Sequence, residues 1–224
     1  MSDDISELAV LKATNQAWQL LYQDEQLLVV NKPAMLLTVP GRHPANADCL
    51  ISRVQLEFPQ AQVVHRLDYD TSGLVILPLT KAALSHISKQ FQARTVEKQY
   101  QALVCGVLEP ASGSINLPIA PDEQRRPLYK ICQQKGKASL THYQTLQVDT
   151  GLNQSRLLLS PVTGRSHQLR LHLSAIGHAM VGDSLYASKE VAQSSPRLCL
   201  HAAFIEFIHP LSGQKLQFSA APEF

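Results

Sequence analysis

The sequence predicts an α+β fold built on a largely antiparallel sheet with a few flanking helices. Three observations carry this expectation. Many short apolar or alternating segments are separated by turn signals, among them Asp24-Glu25, Pro110 to Gly113, Asp149-Thr150-Gly151 and Leu211-Ser212-Gly213. Few segments place apolar residues at helical spacing. No internal repeat, low-complexity tract or clear linker divides the chain, and 224 residues suit one large domain or two small lobes. Residues 1–17 read as a loosely held, flexible N-terminal arm, and 18–224 as a single domain.

In chain order, Trp18 to Gln23 and Leu27 to Asn31 read as two strands across Asp24-Glu25. Pro33 ends the second strand because proline cannot continue a central ladder. Pro40 to Pro44 is a loop. Leu50, Val54 and Phe58 fall on one face of a helix expected over Ala47 to Phe58, which Pro59 stops. Two apolar runs, Ala61 to Val64 and Leu74 to Leu79, read as buried strands joined by His65 to Gly73. Thr80 can cap a helix from Lys81 to Arg94 with Leu84, Ile87 and Phe91 as its apolar stripe.

Glu97 to Gly106 is a strand with Tyr100, Ala102 and Val104 on one face. Pro118 to Pro127 reads as an irregular, charged surface loop. Lys137 to Val148 and Leu152 to Ser160 read as paired strands. Leu169, Leu173 and Ile176 share a helical face, with Ser166 as N-cap and Gly177 as the C-terminal glycine. A strand competes here, because Leu169, Leu171 and Leu173 also alternate, but the two end signals favour the helix. Ser184 to Gln193 is mostly loop, and Arg197 to Ile208 and Lys215 to Ser219 are closing strands.

Composition excludes several classes. No apolar run approaches the roughly 20 residues that span a bilayer, and Met1 to Glu7 carries three acids and no apolar signal region, so neither a membrane nor export is expected. Cys49, Cys105, Cys132 and Cys199 include no close C-x-x-C pair and read as buried free thiols of a reducing cytoplasm. Net charge is +2, but residues 1–26 hold five acids against Lys12, which leaves +6 for the remainder. Arg125, Arg126, Lys130, Lys135 and Lys137 form one basic cluster, and Lys81, Lys89, Arg94 and Lys98 a second scatter. Either is a phosphate-tracking face or an ordinary solvated one. His167 and His172 are five apart and point away from each other on a helix, so no metal site is expected. Walker, Rossmann and nucleophile-elbow patterns are absent from the sequence.

The densest chemistry lies in His65-Arg66-Leu67-Asp68-Tyr69-Asp70-Thr71-Ser72-Gly73-Leu74. Charge set between rigid elements is how active-site loops read. A solvated turn in which Asp70, Thr71 and Ser72 bond their own backbone is the plainer alternative. The residues leave Asp68 and Asp70 both open as the reacting carboxylate, with Arg66, Arg165, Arg170 and Tyr100 as support.

His65-Arg66-Leu67-Asp68 with Thr71-Ser72-Gly73-Leu74 resembles the signature of the RluA-type pseudouridine synthases. Val30 to Pro33, Glu97 to Tyr100, Gly164 to His172, Gly182-Asp183 with Tyr186, and Leu200-His201-Ala202 with His209-Pro210 are similar to further family segments in the same order. The likeness covers roughly Trp18 to Phe224 and is nearest to the short members, which modify 23S rRNA and a tRNA anticodon stem-loop and lack an S4-like domain.

The resemblance implies the pseudouridine synthase fold with a central RNA-binding cleft. It implies isomerisation of uridine within RNA, without cofactor or metal, by a cytoplasmic enzyme expected to be a monomer and to bind RNA and not DNA. By the motif match Asp68 is the catalytic carboxylate, acting ionised as nucleophile or base. Arg170 would be its counter-charge, and Tyr100 would lie against the target uracil. Asp70 goes to the loop's shape. A uridine in an RNA loop must be flipped out to react; Arg66 would fill the vacated space, and Arg165 and the basic clusters would contact phosphate. A non-catalytic RNA-binding or ribosome-assembly module that keeps this fold is the alternative reading.

Overall fold

The computed structural model describes residues 9–224. In chain order the elements are β1 Gln19–Gln23, β2 Leu27–Lys32, α1 Leu50–Val54, β3 Ser72–Pro78, α2 Lys81–Ala93, β4 Glu97–Cys105, β5 Ser112–Asn116, β6 Ile119–Pro121, β7 Tyr129–Ile131, β8 Leu140–Asp149, β9 Gln154–Pro161, α3 Gln168–Ala175, α4 Lys189–Gln193, β10 Leu200–Ile208 and β11 Lys215–Ser219. The α+β class with a largely antiparallel sheet is what the sequence led us to expect. Two compact units are present: one runs to Val96 and takes in Phe204–Ala221, the other is Glu97–Ala203 with Pro222–Phe224.

In the first unit β1, β2 and β3 form an antiparallel run, with Val30 opposite Leu20 and Val29 opposite Ile76. β11 pairs with the C-terminal half of β10, Ile205 facing Phe218. Leu27, Val29, Leu74, Ile76, Ile87, Val96, Ile205 and Phe207 make its core, so β2 and β3 are buried on both faces and read as continuous apolar runs. Thr80 caps α2 as expected, its hydroxyl accepting from the Ala83 amide at 3.1 Å.

Two expectations in this unit fail. Residues 61–64 form no strand; single hydrogen bonds, Ala61 N–H to Phe58 O and Gln62 N–H to Pro78 O, replace a ladder. The helix expected over 47–58 is cut to α1 because Cys49 is held extended (φ −153°) by a bridge to Leu37, and Leu50 N–H donates to Leu37 O. The expected N-terminal arm lies partly outside the described residues. Its remainder, 9–17, has no helix or strand but is tied down: Leu11 N–H donates to Asn46 Oδ1 at 2.8 Å, and Arg53 donates to the carbonyls of Thr14 and Gln16.

In the second unit β4 pairs with β9, β9 with β8 and β8 with β5, all antiparallel. Ala102, Val104, Leu157, Leu159, Leu169, Leu173 and Met180 belong to one core, with Tyr100 packed at its edge. The stretch expected as an irregular loop, 118–127, instead begins a hairpin: β6 pairs with β7, Ile119 facing Ile131. Proline and charge hid the strand, because its partner lies beyond the stretch. Ser166 does not cap α3; His167 takes that position in the left-handed region (φ 54°) with no side-chain cap bond. Gly177 follows the helix at φ +87°, the conformation a C-terminal glycine supplies. No helix among the described residues is long and apolar enough to cross a membrane.

Candidate active site

The His65 to Gly73 loop is anchored at every second residue, through the ring of His65 and the main chain of Leu67 and Tyr69. His65 Nε2 accepts the Ile76 amide at 2.9 Å, and its ring packs on Phe91 at 4.7 Å. That bond requires the imidazole tautomer protonated at Nδ1. Leu67 is gripped at both polar atoms by Thr38: the hydroxyl donates to its carbonyl at 2.9 Å and accepts its amide at 3.1 Å. Tyr69 O accepts from the Leu36 amide at 3.1 Å, and Tyr69 Oη donates to Lys12 O at 2.6 Å. The Thr71 amide closes the turn on Asp68 O at 3.2 Å.

Lys32, at 0% exposure, anchors the segment under this loop. Its ammonium donates to the carbonyls of Leu36 at 2.6 Å and Pro33 at 3.0 Å, and reaches Tyr69 O at 3.5 Å. Anchored residues 65, 67 and 69 therefore alternate with Arg66 and Asp68, whose side chains take part in none of these bonds. Arg66 is exposed and Asp68 half-buried. Thr71 and Ser72 are buried, as loop-shaping residues should be.

The other predicted residues belong to the second unit. Tyr100 stands in β4 opposite Leu159. Arg170 lies in α3 at 1% exposure. Its Nε and Nη2 donate to the two oxygens of Asp183 at 3.0 and 2.6 Å. Such a bidentate bond uses two of the guanidinium's five N–H donors. Asp183, at 0% exposure, also accepts the amides of Leu185 and Tyr186 at 2.9 and 3.1 Å. Gly182 before it needs to be glycine: φ is +76°, and a Cβ would meet Arg197 O at 1.9 Å.

Gln168 ties the start of α3 to β8. Its Oε1 accepts from the Thr163 hydroxyl and the Arg165 amide, and its Nε2 donates to Leu140 O and Thr141 Oγ1. His172 Nδ1 meets the same Thr141 hydroxyl at 3.0 Å while Nε2 donates to Leu117 O at 2.9 Å. Burial holds the His172 pKa below the usual histidine value, against the opposing pull of the Leu117 carbonyl. Arg165 is half-buried, its guanidinium 3.5 Å from Ala138 O and its Nε without a hydrogen-bond partner. Of the basic groups, Arg125, Arg126, Lys130, Lys135 and Lys137 are all exposed. Lys98 leaves the second scatter: it is half-buried, and burial pulls its ammonium below the usual lysine range.

Lys32, Thr38 and Asp183 are the residues to which sequence reasoning assigned no role. Lys32 and Asp183 sat inside quoted motifs; Thr38 carried no signal. No group of three His, Cys, Asp or Glu side chains that could hold a metal occurs among the described residues. All four cysteines are free, but only Cys49 and Cys199 are buried as expected; Cys105 and Cys132 are half-buried.

Residues 26–175 match the RNA pseudouridylate synthase family. The chain is 45% identical over 205 residues to the dual-specificity RNA pseudouridine synthase RluA of Salmonella typhi, covering 92% of this chain and 93% of that protein. It is 44% identical over 211 residues to the RluA of Pasteurella multocida, covering 94% and 96%. Among solved structures, human RNA pseudouridylate synthase domain containing 1 aligns with a TM-score of 0.80 at 30% identity, over 95% of this chain and 86% of that one. Human RNA pseudouridylate synthase domain containing 4 shares the fold, with a TM-score of 0.74 at 23% identity over 91% and 88%.

Proposed function

This chain belongs to the RNA pseudouridylate synthase family, and from that premise we propose that it isomerises specific uridines to pseudouridine in structured RNA loops, with Asp68 as the catalytic carboxylate. The observation that carries the residue assignment is the loop: the main chain on both sides of Asp68 is clamped, and the clamp spends none of the carboxylate's bonding capacity. A group held this way keeps its direction without being buried beneath its own supports.

The reaction detaches the base from C1′, turns it and rejoins it through C5, so the C5 proton leaves and no redox equivalent is consumed. Asp68, ionised, serves as nucleophile or as base. Arg170 is assigned as the counter-charge of that carboxylate, and Tyr100 as the flat surface against the uracil; both rest on the motif match. Arg66, exposed beside Asp68, is suited to occupy the stack that a flipped uridine leaves, because a guanidinium stacks on bases. Arg165 and the exposed cations of 125–137 are assigned to phosphate. The relatives' names support two substrate classes, and we assign 23S rRNA and a tRNA anticodon stem-loop as the RNAs, met by a monomer in the cytoplasm.

RNA carrying tritium at uridine C5 is the direct probe. Wild-type protein should release tritium, and Asp68→Asn should release none while still binding RNA. Undiminished release by Asp68→Asn would remove Asp68 from the chemistry. Because no clamp bond involves the carboxylate, its stability should stay within about 0.5 kcal/mol of wild type.

A further inference from the structure

The β6–β7 hairpin has only two strands, which are marginal on their own in water. Yet it carries the exposed cations Arg125, Arg126 and Lys130. Asp122 organises its tip: the carboxylate takes Arg125 Nε at 2.9 Å and lies 3.6 Å from Lys130. The Arg125 hydrogen bond holds the Asp122 carboxyl below the usual carboxylate range. At its base the hairpin meets residue 137 through two main-chain bonds between Ile119 and Lys137. A third tie is made by a side chain. The Tyr129 amide donates to the Tyr186 hydroxyl at 2.9 Å, and that hydroxyl lies 2.8 Å from His167 Nδ1.

His167 is the residue in the left-handed region at the start of α3, a conformation that disfavours most side chains by about 1–2 kcal/mol. Its ring is set edge-on to both tyrosines, 5.4 Å from Tyr129 at 69° and 5.6 Å from Tyr186 at 75°. Tyr186 also lies under the Arg170 guanidinium at 5.6 Å, and its carbonyl accepts from Ser174 in α3 at 2.9 Å. A single side chain thus touches the hairpin amide, the strained histidine and the buried arginine.

We propose that Tyr186 and His167 are positioning residues that lock the basic β6–β7 hairpin to α3, so that RNA phosphates gripped by the hairpin cations bear on the helix that carries Arg170. The proposal rests on the pseudouridine reading for its chemical consequence. For its binding consequence it stands alone. The Tyr129 amide leaves the hydroxyl's own proton for His167 Nδ1, so the clasp needs both the hydroxyl and a side-chain acceptor at 167. With the clasp open, the hairpin keeps its strands but loses its fixed place on α3. The RNA then meets fewer of its cations at once.

The test measures binding and isomerisation of a synthetic RNA anticodon stem-loop across a salt series. Tyr186→Phe keeps the ring over Arg170 and removes only the hydroxyl. It should lower kcat/KM roughly tenfold, equal to about 1.4 kcal/mol. It should also flatten the slope of log affinity against log salt by about 0.7 for each RNA phosphate that the cations no longer neutralise. His167→Asn, which tolerates the left-handed conformation and offers an amide to the hydroxyl, should keep most of the wild-type slope, whereas His167→Ala should not. An unchanged slope and kcat/KM in Tyr186→Phe, or His167→Asn as impaired as His167→Ala, overturns the clasp. If wild-type protein makes no pseudouridine in any RNA, the catalytic reading falls, and the salt slopes still decide the clasp.

Discussion

The loop around Asp68 and the helix around Arg170 each present a side chain that we assign to the chemistry, and they hold it by opposite means. Around Asp68 the supports end mostly on main-chain atoms: Thr38 on Leu67, Leu36 and Lys32 on Tyr69 O. The identities at 67 and 69 matter little to those bonds. Around Arg170 the supports are side chains bonded to side chains: Asp183 to the guanidinium, and Gln168 to Thr141 and Thr163. A main-chain clamp fixes direction and leaves the presented group's charge unspent. A buried ion pair fixes direction by using part of that group's bonding capacity, two of five N–H donors here, and it makes the helix depend on one distant partner.

The difference is broken most severely at Asp183. Asp183→Ala leaves a guanidinium at 1% exposure without this carboxylate. Removing one partner of a buried pair costs roughly 3–5 kcal/mol. For a chain of this length that is a fall in Tm of about 6–20 °C, measurable by calorimetry, with isomerase activity lost at temperatures where the protein is still folded. Asp68→Asn is the mirror case, with activity lost and Tm nearly unmoved. Equal losses of stability at both positions would erase the contrast between the two regions.

That contrast also sorts what could be read from the sequence. The loop's candidate residues could be picked out because a main-chain-held segment gathers its polar groups in adjacent positions, His65 to Gly73. The strands were legible where burial is two-sided, as in β2 and β3, or where a turn joins neighbours, as in β8 and β9 across Asp149-Thr150-Gly151. Asp183 received no role, because its partner is thirteen residues away on another element. Thr38 was invisible for the same reason at a separation of 29. The β6–β7 hairpin was missed because proline and charge at 121–127 look like loop whether or not 129–131 returns to pair. His167 could not be foreseen as the start of α3: Ser166 is the better cap by residue type, and the tyrosines that hold His167 lie at 129 and 186.

A smaller effect is expected at Thr38, where the main-chain clamp depends on one side chain. Thr38→Val keeps the shape and strips both bonds from Leu67, leaving a buried amide and carbonyl unmet. The cost is about 1–3 kcal/mol, read as a lower urea midpoint at unchanged m-value. Misdirecting Asp68 should add a fall in kcat larger than any rise in KM, since the cations assigned to phosphate, Arg165 and those of 125–137, do not depend on this clamp. A pure KM effect would mean that Thr38 does not govern the carboxylate.

The smallest effect sharpens the comparison through pH. His172 belongs to the side-chain network of α3 through Thr141 Oγ1, and both ring nitrogens are engaged in its neutral form, with Nε2 donating to Leu117 O. Burial lowers its folded pKa below the unfolded value, which is about 6.5. A histidine depressed in this way favours folding in its neutral form. Its contribution is fully present above pH of about 6.5 and is lost as pH falls towards the folded pKa, because only the unfolded chain takes up the proton. The slope is at most about 1.4 kcal/mol per pH unit for one proton. Urea midpoints of wild type should therefore drop more between pH 7.5 and 5.5 than those of His172→Gln, which can keep a donor and an acceptor there without titrating. Parallel drops in the two proteins would show that the α3 network is indifferent to this proton.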